Sequence, residues 1–352
     1  MSAAPAPAPA PATPPAAEGG QARRLTEFIF RIRELGIVIA LVALILVTGI
    51  LEPRFLEADS LRNLALNASI FAILAAGQTL VIITRNVDLS VGSVVGLSAF
   101  MAGDVLSSHP GLPWPLVFVL GMALGGACGL LNGVLVTLGQ VPALVVTLGT
   151  LYVYRGLAFL WTSGRQVNAE TLPDSFLGLG TNSFLGVPIL VLIALVVVLV
   201  VGQWLRDFRA GRELYAIGSN PEGARLAGVR SDRRVLTAFV LAGALAGLGG
   251  VLFTARFGTV DATAGTGYEL TVIAAAVVGG VAIFGGTGSV YGAALGALLL
   301  GTITSSLIVL RVEAFWQQAA IGALLLLAIA FDRLVGLRLD AALRRRSARR
   351  AG

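Results

Sequence analysis

VPILVLIALVVVLVVGQWL, residues 187–205, runs 19 residues without a charge. As an α-helix rising 1.5 Å per residue it would extend about 28 Å, close to the ~30 Å hydrocarbon thickness of a bilayer. A second run, LGIVIALVALILVTGIL (35–51), behaves the same way. Composition extends the reading to the whole chain. Of its 352 residues 56% are apolar and only 12% charged, against about 25% charged in a typical soluble domain, and the mean hydropathy is +0.88. Charge this sparse cannot cover a globular surface. The fold class expected is an all-α polytopic membrane protein of about ten transmembrane helices, some short or broken.

The spans are expected near 34–51, 64–83, 91–107, 115–138, 141–162, 187–205, 235–254, 268–284, 290–310 and 315–332, within a transmembrane domain covering 23–335. Ahead of it, MSAAPAPAPAPATPPAAEGGQA (1–22) is an Ala/Pro tract without the apolar core of a signal peptide, and reads as a disordered tail. Behind it, 336–352 is a basic tail. All 25 basic side chains are arginine. With the N-terminus inside, 19 of them fall in the tails and cytoplasmic loops, seven in the loop 206–234 alone, against five on the opposite side; Arg155 lies within a span. That asymmetry places both termini in the cytoplasm and requires an even number of spans.

Several chemistries drop out at this point. A phosphate-binding P-loop needs a lysine, and the chain has none, so FGGTGS (284–289) reads as close helix packing or a helix break. ATP hydrolysis must then belong to another protein, and the chain itself is not expected to be an enzyme. His109 and Cys128 are the single histidine and cysteine. They cannot form an ordinary zinc site, which takes three or four protein ligands, so no metal or other cofactor is expected. Cys128, in a Gly-Ala-Cys-Gly stretch, reads as a small packing residue.

The segments 91–107, 141–162 and 268–284 are rich in Gly, Ser, Thr or Pro. Such backbone at membrane depth is tolerated only against protein or a water-filled cavity, and broken helices beside polar residues are common in transporters. TRNVDLSVGS (84–93) falls at the cytoplasmic turn between the second and third spans. There Arg85 and Asp88 can pair with each other or with the neighbouring loop, and Asp88 or Ser90 can accept backbone N–H groups at a helix entry. A capped, ion-paired turn and a gate at the cytoplasmic mouth are both open readings, with Arg85, Asn86 and Asp88 as the residues concerned. Arg155 is a pathway candidate by its depth, although it could snorkel to the outer surface or pair structurally. Asn67, Gln78 and Asn132 are candidates for interhelical hydrogen bonds. Asn67, Ser90, Ser93, Thr147 and Thr150 offer the scattered donors and acceptors that a neutral, hydroxylated solute would need along a path.

The loop RDFRAGRELYAIGSNPEGARLAGVRSDRR (206–234) contains a helix start. Asn220 can cap, Pro221 suits the first position, and Glu222 favours the positive end of the dipole. Gly228 is a plausible stop. A helix of about two turns is expected over 220–229, with Ala224 and Leu226 offering apolar contact. The alternative is a solvated loop held at the anionic leaflet by its arginines.

EGARLAG (222–228) resembles the Glu-Ala-Ala-x-x-x-Gly signature of bacterial ABC-importer permeases, with Gly223 replacing one Ala. GRELYAIGSNPEGARLAGV (211–229), GQTLVIITRNVDLSVGSVVG (77–96), AGTGYEL (264–270) and VVGGVAIFGGTGSVYGAALGALLLG (277–301) are similar to the monosaccharide branch of that family. Within the branch, TRNVDLSVGS and AFWQQAAIGALLLLAIAFDRL look most like the rhamnose and autoinducer-2 members. The resemblance implies a permease subunit in the bacterial inner membrane that imports a monosaccharide-like solute by alternating access. It also implies a coupling helix carrying Asn220, Glu222, Ala224, Arg225, Leu226 and Gly228. The partners implied are a cytosolic ABC ATPase, a second permease subunit, an extracytoplasmic solute-binding protein and membrane lipid, with no nucleic acid. Two rivals are kept: an ABC permease for branched-chain amino acids, and an ion-coupled secondary carrier. The carrier would need acidic residues at the bilayer middle, whereas every Asp and Glu here is expected in a loop or near a span end.

Overall fold

The computed structural model describes residues 18–313, 315–324, 326–327 and 330, with side chains from Leu35 onward. The chain runs α1 (Glu18–Leu51), α2 (Ala58–Ile83), α3 (Val91–Ser108), α4 (Trp114–Thr137), α5 (Ala143–Thr162), α6 (Asp174–Thr181), a two-residue hairpin of Ser183–Phe184 with Val187–Pro188, α7 (Ile189–Asp207), α8 (Arg209–Ser219), α9 (Pro221–Leu226), α10 (Ser231–Phe257), α11 (Tyr268–Val278) and α12 (Val290–Val309). Among the described residues seven helices are long and apolar enough to cross a membrane, namely α2, α3, α4, α5, α7, α10 and α12. The stretch Leu35–Leu51 of α1 and all of α11 are apolar but shorter.

Each of the nine expected spans up to residue 310 coincides with one of these helices. Of the tenth, 315–324 is helical, while part of the remainder lies outside the described residues. The tail expectations at 1–17 and 336–352 also fall outside them, and α1 begins at Glu18, inside the stretch expected as tail. Two spans expected to be interrupted are not: α3 and α5 are continuous over 18 and 20 residues. Only 268–284 is cut, with the helix ending at Val278.

The centre of the fold is α10, which packs against α4, α3 and α2. Its seam with α4 is made by glycines at every fourth position, Gly121, Gly125 and Gly129 facing Gly243 and Gly247, and Gly133 facing Leu236 and Phe239. A Cβ on Gly125 would run into the carbonyl of Gly243, and one on Gly247 into that of Gly121. This backbone-to-backbone approach is how helices gain packing in lipid, where there is no hydrophobic driving force between them. The other face of α2 carries α12 and α7, with α1 outside α12. The buried side chains, Phe100, Phe239, Ile73, Leu74 and Leu80 among them, are concentrated on α2, α3 and α10. In contrast α4, α5 and α7 leave rows of leucine and valine exposed, as an apolar solvent permits.

Between α10 and α11 the chain does something the hydropathy pattern hides. Val260 bridges Val167 beside Gly103, toward the C-terminal end of α3. The segment then descends along α3 until Ala264 and Gly265 lie against Gly96 and Gly92. There α11 starts, with the Tyr268 ring tilted against Phe71 of α2, centroids 4.6 Å apart, and beside Phe253 of α10. Eleven helical residues rise only about 16 Å, so α11 is too short to cross a bilayer alone, and residues 259–267, running back alongside α3, form a re-entrant segment.

Candidate coupling surface and buried polar cluster

The loop 206–234 folds into two helices rather than one. Within α8, Gly211, Leu214, Ile217 and Gly218 are buried on one face, a spacing of three and four that fits an amphipathic helix on the protein surface. Glu213 accepts hydrogen bonds from Arg209, at 2.7 Å, and from Arg234 of α10. The bonds from these two arginines hold its carboxyl below the ordinary glutamate range. Tyr215 donates to the carbonyl of Gly288 at 2.8 Å, and burial pushes its phenol up to about 12.

The helix α9 is built as its residues foretold. Asn220 Oδ1 accepts from the Gly223 N–H at 2.9 Å, Pro221 opens the helix, and Gly228 turns the chain at φ +78°. This left-handed turn suits glycine, which has no Cβ to clash. Ala224 is buried in a cluster with Val81, Ala143, Ile217, Val235, Phe239 and Ala242. Leu226 does not join it: its surface is 85% exposed, and Glu222 and Arg225 are exposed beside it. The short helix is thus anchored by one alanine while its remaining face, one bare leucine flanked by opposite charges, points away from the protein.

Arg85 ties the end of α8 to the α2–α3 turn. Its Nε donates to the Gly218 carbonyl at 2.5 Å and its Nη2 to the Ser219 carbonyl at 3.0 Å. These are terminal carbonyls of α8, where a cation meets the negative end of the helix. Among the described residues Arg85 makes no ion pair with Asp88; of the two pairings open to it, it takes the neighbouring loop. Gly286 N donates to the Ile83 carbonyl at 2.9 Å and Ser219 Oγ to the Gly286 carbonyl at 3.4 Å. The ends of α2 and α8 and the 279–289 loop therefore meet at one point. Arg85 itself sits at φ +67°, a conformation that a non-glycine residue adopts only at a cost of roughly 1–2 kcal/mol.

Asp88 turns inward instead. Its Oδ1 accepts from Ser90 N at 2.8 Å and from Ser90 Oγ at 2.6 Å. Asn132 Nδ2 of α4 donates to Ser90 Oγ at 2.9 Å, and Tyr154 OH of α5 lies 2.9 Å from the Cys128 carbonyl and 3.3 Å from Asn132 Oδ1. Burial pushes the Asp88 carboxyl above the ordinary carboxylate range, opposed by the hydrogen bonds from Ser90 and Asn132. Asp88 thus caps the entry to α3 by holding Ser90, while Ser90 itself caps nothing. Asn86 stays local, donating to Thr84 at 3.0 Å.

The expected path hydroxyls are brought to this same region, but they are buried and engaged. Ser93 donates to the Ser90 carbonyl, Thr147 to the Val87 carbonyl, and Thr150 to the Thr147 carbonyl. Asn67 lies apart, some 24 Å up α2 from Ile83 at 1.5 Å per residue. Arg155 does not snorkel: its Nη1 donates to the carbonyls of Ala262 and Ala264 at 2.8 and 2.7 Å, holding the re-entrant segment. Glu269, in the first turn of α11, lies beside Gly92 at the start of α3. Among the described residues no group of His, Cys, Asp and Glu could hold a metal ion.

Residues 60–329 match the family model described as branched-chain amino acid transport system / permease component. The chain is 38% identical over 321 residues to the autoinducer 2 import system permease protein LsrC of Escherichia coli (strain K12 / DH10B), covering 91% of this chain and 93% of that protein. It is 39% identical over 321 residues to the protein of the same name from Salmonella choleraesuis (strain SC-B67), covering 91% of each. No solved structure matches.

Proposed function

The chain belongs to the permease family described as branched-chain amino acid transport system permease components, and from that premise we propose that it carries a small sugar-like solute of the autoinducer-2 kind through the bacterial inner membrane, driven by a separate ATPase. It is a multi-pass membrane protein and a transport subunit. The solute class is favoured by the relatives that match over nine tenths of the chain, which are autoinducer 2 import system permease proteins. The family description alone would favour an amino acid.

The observation that carries the coupling is α9. A helix pinned by Ala224, capped by Asn220 and stopped at Gly228 presents Glu222, Arg225 and Leu226 outward. Such a knob fits a cleft on a cytosolic ATPase, and Arg85 and the Gly286–Ile83 bond offer a route by which its displacement reaches α2, α3 and α11. Movement of these elements between two packings would open the path alternately to each side. A second permease subunit and an extracytoplasmic binding protein complete the importer. In this arrangement the chain makes ten spans with both termini inside, so reporters fused after Arg206 and Arg346 read cytoplasmic and one after Asn168 reads external.

The test is a cross-link. In a Cys128→Ala background, Leu226→Cys should form a disulfide with single cysteines placed in the partner ATPase's docking cleft, while a cysteine at Leu157 on the apolar face of α5 should not. No cross-link from position 226 in a complex that transports would remove α9 from the interface.

A further inference from the structure

We propose that the re-entrant segment 259–267 lines the aqueous path of the solute, with Asp261, Thr263 and Thr266 forming its wetted face; this rests on the importer reading above and assigns the surface along which that solute moves. Depth is the first observation. Arg155, which holds the segment through the carbonyls of Ala262 and Ala264, is twelve residues from Ala143 and seven from Thr162. At 1.5 Å per residue that is about 18 Å from one end of α5 and about 10 Å from the other. Gly92 and Gly96 let the segment lie against α3, since a Cβ on either would strike it. The segment therefore runs alongside α3 from the level of Gly103 to that of Gly92, within the length of a membrane-spanning helix.

Exposure is the second observation. Asp261, Thr263, Thr266 and Gly267 are exposed at this depth, in backbone that is neither helix nor sheet. Lipid cannot face such a surface, because hydrocarbon satisfies no polar group; it must face water or protein. The side chains point to water and a hydroxylated solute. Thr263 Oγ donates to Asp261 Oδ1, and Thr266 Oγ to the Thr263 carbonyl, both at 2.6 Å. With their protons spent, these hydroxyls present acceptor lone pairs beside a carboxylate, a surface suited to the O–H donors of a neutral polyol. Ser90, Ser93, Thr147 and Thr150 are buried and internally bonded, so a path through them would have to break the fold.

Water accessibility of introduced thiols tests this in the assembled importer, in proteoliposomes and in the Cys128→Ala background. Thr263→Cys and Thr266→Cys should react with a charged, membrane-impermeant methanethiosulfonate at least about tenfold faster than Leu157→Cys, because the reagent meets the thiolate only in water. Saturating autoinducer 2, delivered by the binding protein, should slow that reaction. Reaction at the Leu157→Cys rate, with and without ATP, would mean that protein covers the segment, and would overturn the proposal. Fast reaction with no protection by any solute would overturn it equally. Protection by a branched-chain amino acid and not by autoinducer 2 would keep the lining and refute the solute reading, so the two failures are distinguishable.

Discussion

Replacing Arg85 by alanine removes the two charge-assisted hydrogen bonds that join the α2–α3 turn to the last carbonyls of α8. Bonds to a charged group contribute about 1.5–3 kcal/mol each when shielded, but Arg85 is exposed, and solvent screening lowers the pair to about 1–3 kcal/mol in total. At about 1.4 kcal/mol per factor of ten, the equilibrium between a seated and a released α8 shifts roughly 5- to 150-fold. The assay is solute imported per ATP hydrolysed in the reconstituted complex, where Arg85→Ala should lower the ratio and Arg85→Lys should recover part of it. Arg85→Gly separates coupling from stability. Glycine relieves the left-handed strain at φ +67°, so this variant should melt at a higher temperature than Arg85→Ala and yet be equally uncoupled. If Arg85→Ala and Arg85→Gly both import with the parent's stoichiometry, the junction at residue 85 transmits nothing.

Three further outcomes follow from the geometry. Gly125→Val should destabilise the α4–α10 seam by about 1–3 kcal/mol or more, whereas Gly126→Ala, whose added Cβ meets nothing closer than 3.8 Å, should be tolerated; thermal unfolding in detergent separates them. Asp88→Asn keeps an acceptor for Ser90, while Asp88→Ala leaves its N–H unpaired at a cost of about 1–3 kcal/mol. Because burial raises the Asp88 carboxyl above its ordinary value of 3.8, the folded state holds its proton to higher pH. The parent should therefore lose stability relative to Asp88→Asn as pH rises through that raised value, and melting curves of both proteins across pH check it. Glu213 behaves in the opposite sense. With its carboxyl held down by Arg209 and Arg234, its contribution is lost only as pH falls below the ordinary glutamate range, so proteolysis of the 206–234 loop should be unchanged from about pH 8 to about pH 5.

Local chemistry was legible and distant packing was not. The Asn-Pro-Glu start and glycine stop of α9 could be read directly, because caps and stops act within one turn. The apolar spans could be read because bilayer thickness sets their length. The helix α8 was missed, although Gly211, Leu214, Ile217 and Gly218 carry its period; five arginines between Arg206 and Arg230 dominate the stretch. Hydroxyl-bearing Ser90, Ser93, Thr147 and Thr150 looked like path residues because composition cannot say whether a hydroxyl is already bonded to a carbonyl three residues away or in a distant turn. The re-entrant segment was beyond a hydropathy reading altogether. Its depth is set by Arg155 and by two glycines of α3, contacts separated by more than a hundred residues in sequence, and only the motif AGTGYEL marked the place.

The central claim is that this chain moves its solute by borrowing the energy of a separate ATPase. Uptake of labelled autoinducer 2 into proteoliposomes measures this most directly, with the permease, the ATPase and the solute-binding protein added or omitted in turn and with ATP or an imposed proton or sodium gradient as the energy source. The account predicts accumulation only when all three proteins and ATP are present, and its loss when Gly228→Pro distorts the exit of α9. Accumulation by the permease alone on an ion gradient would contradict it.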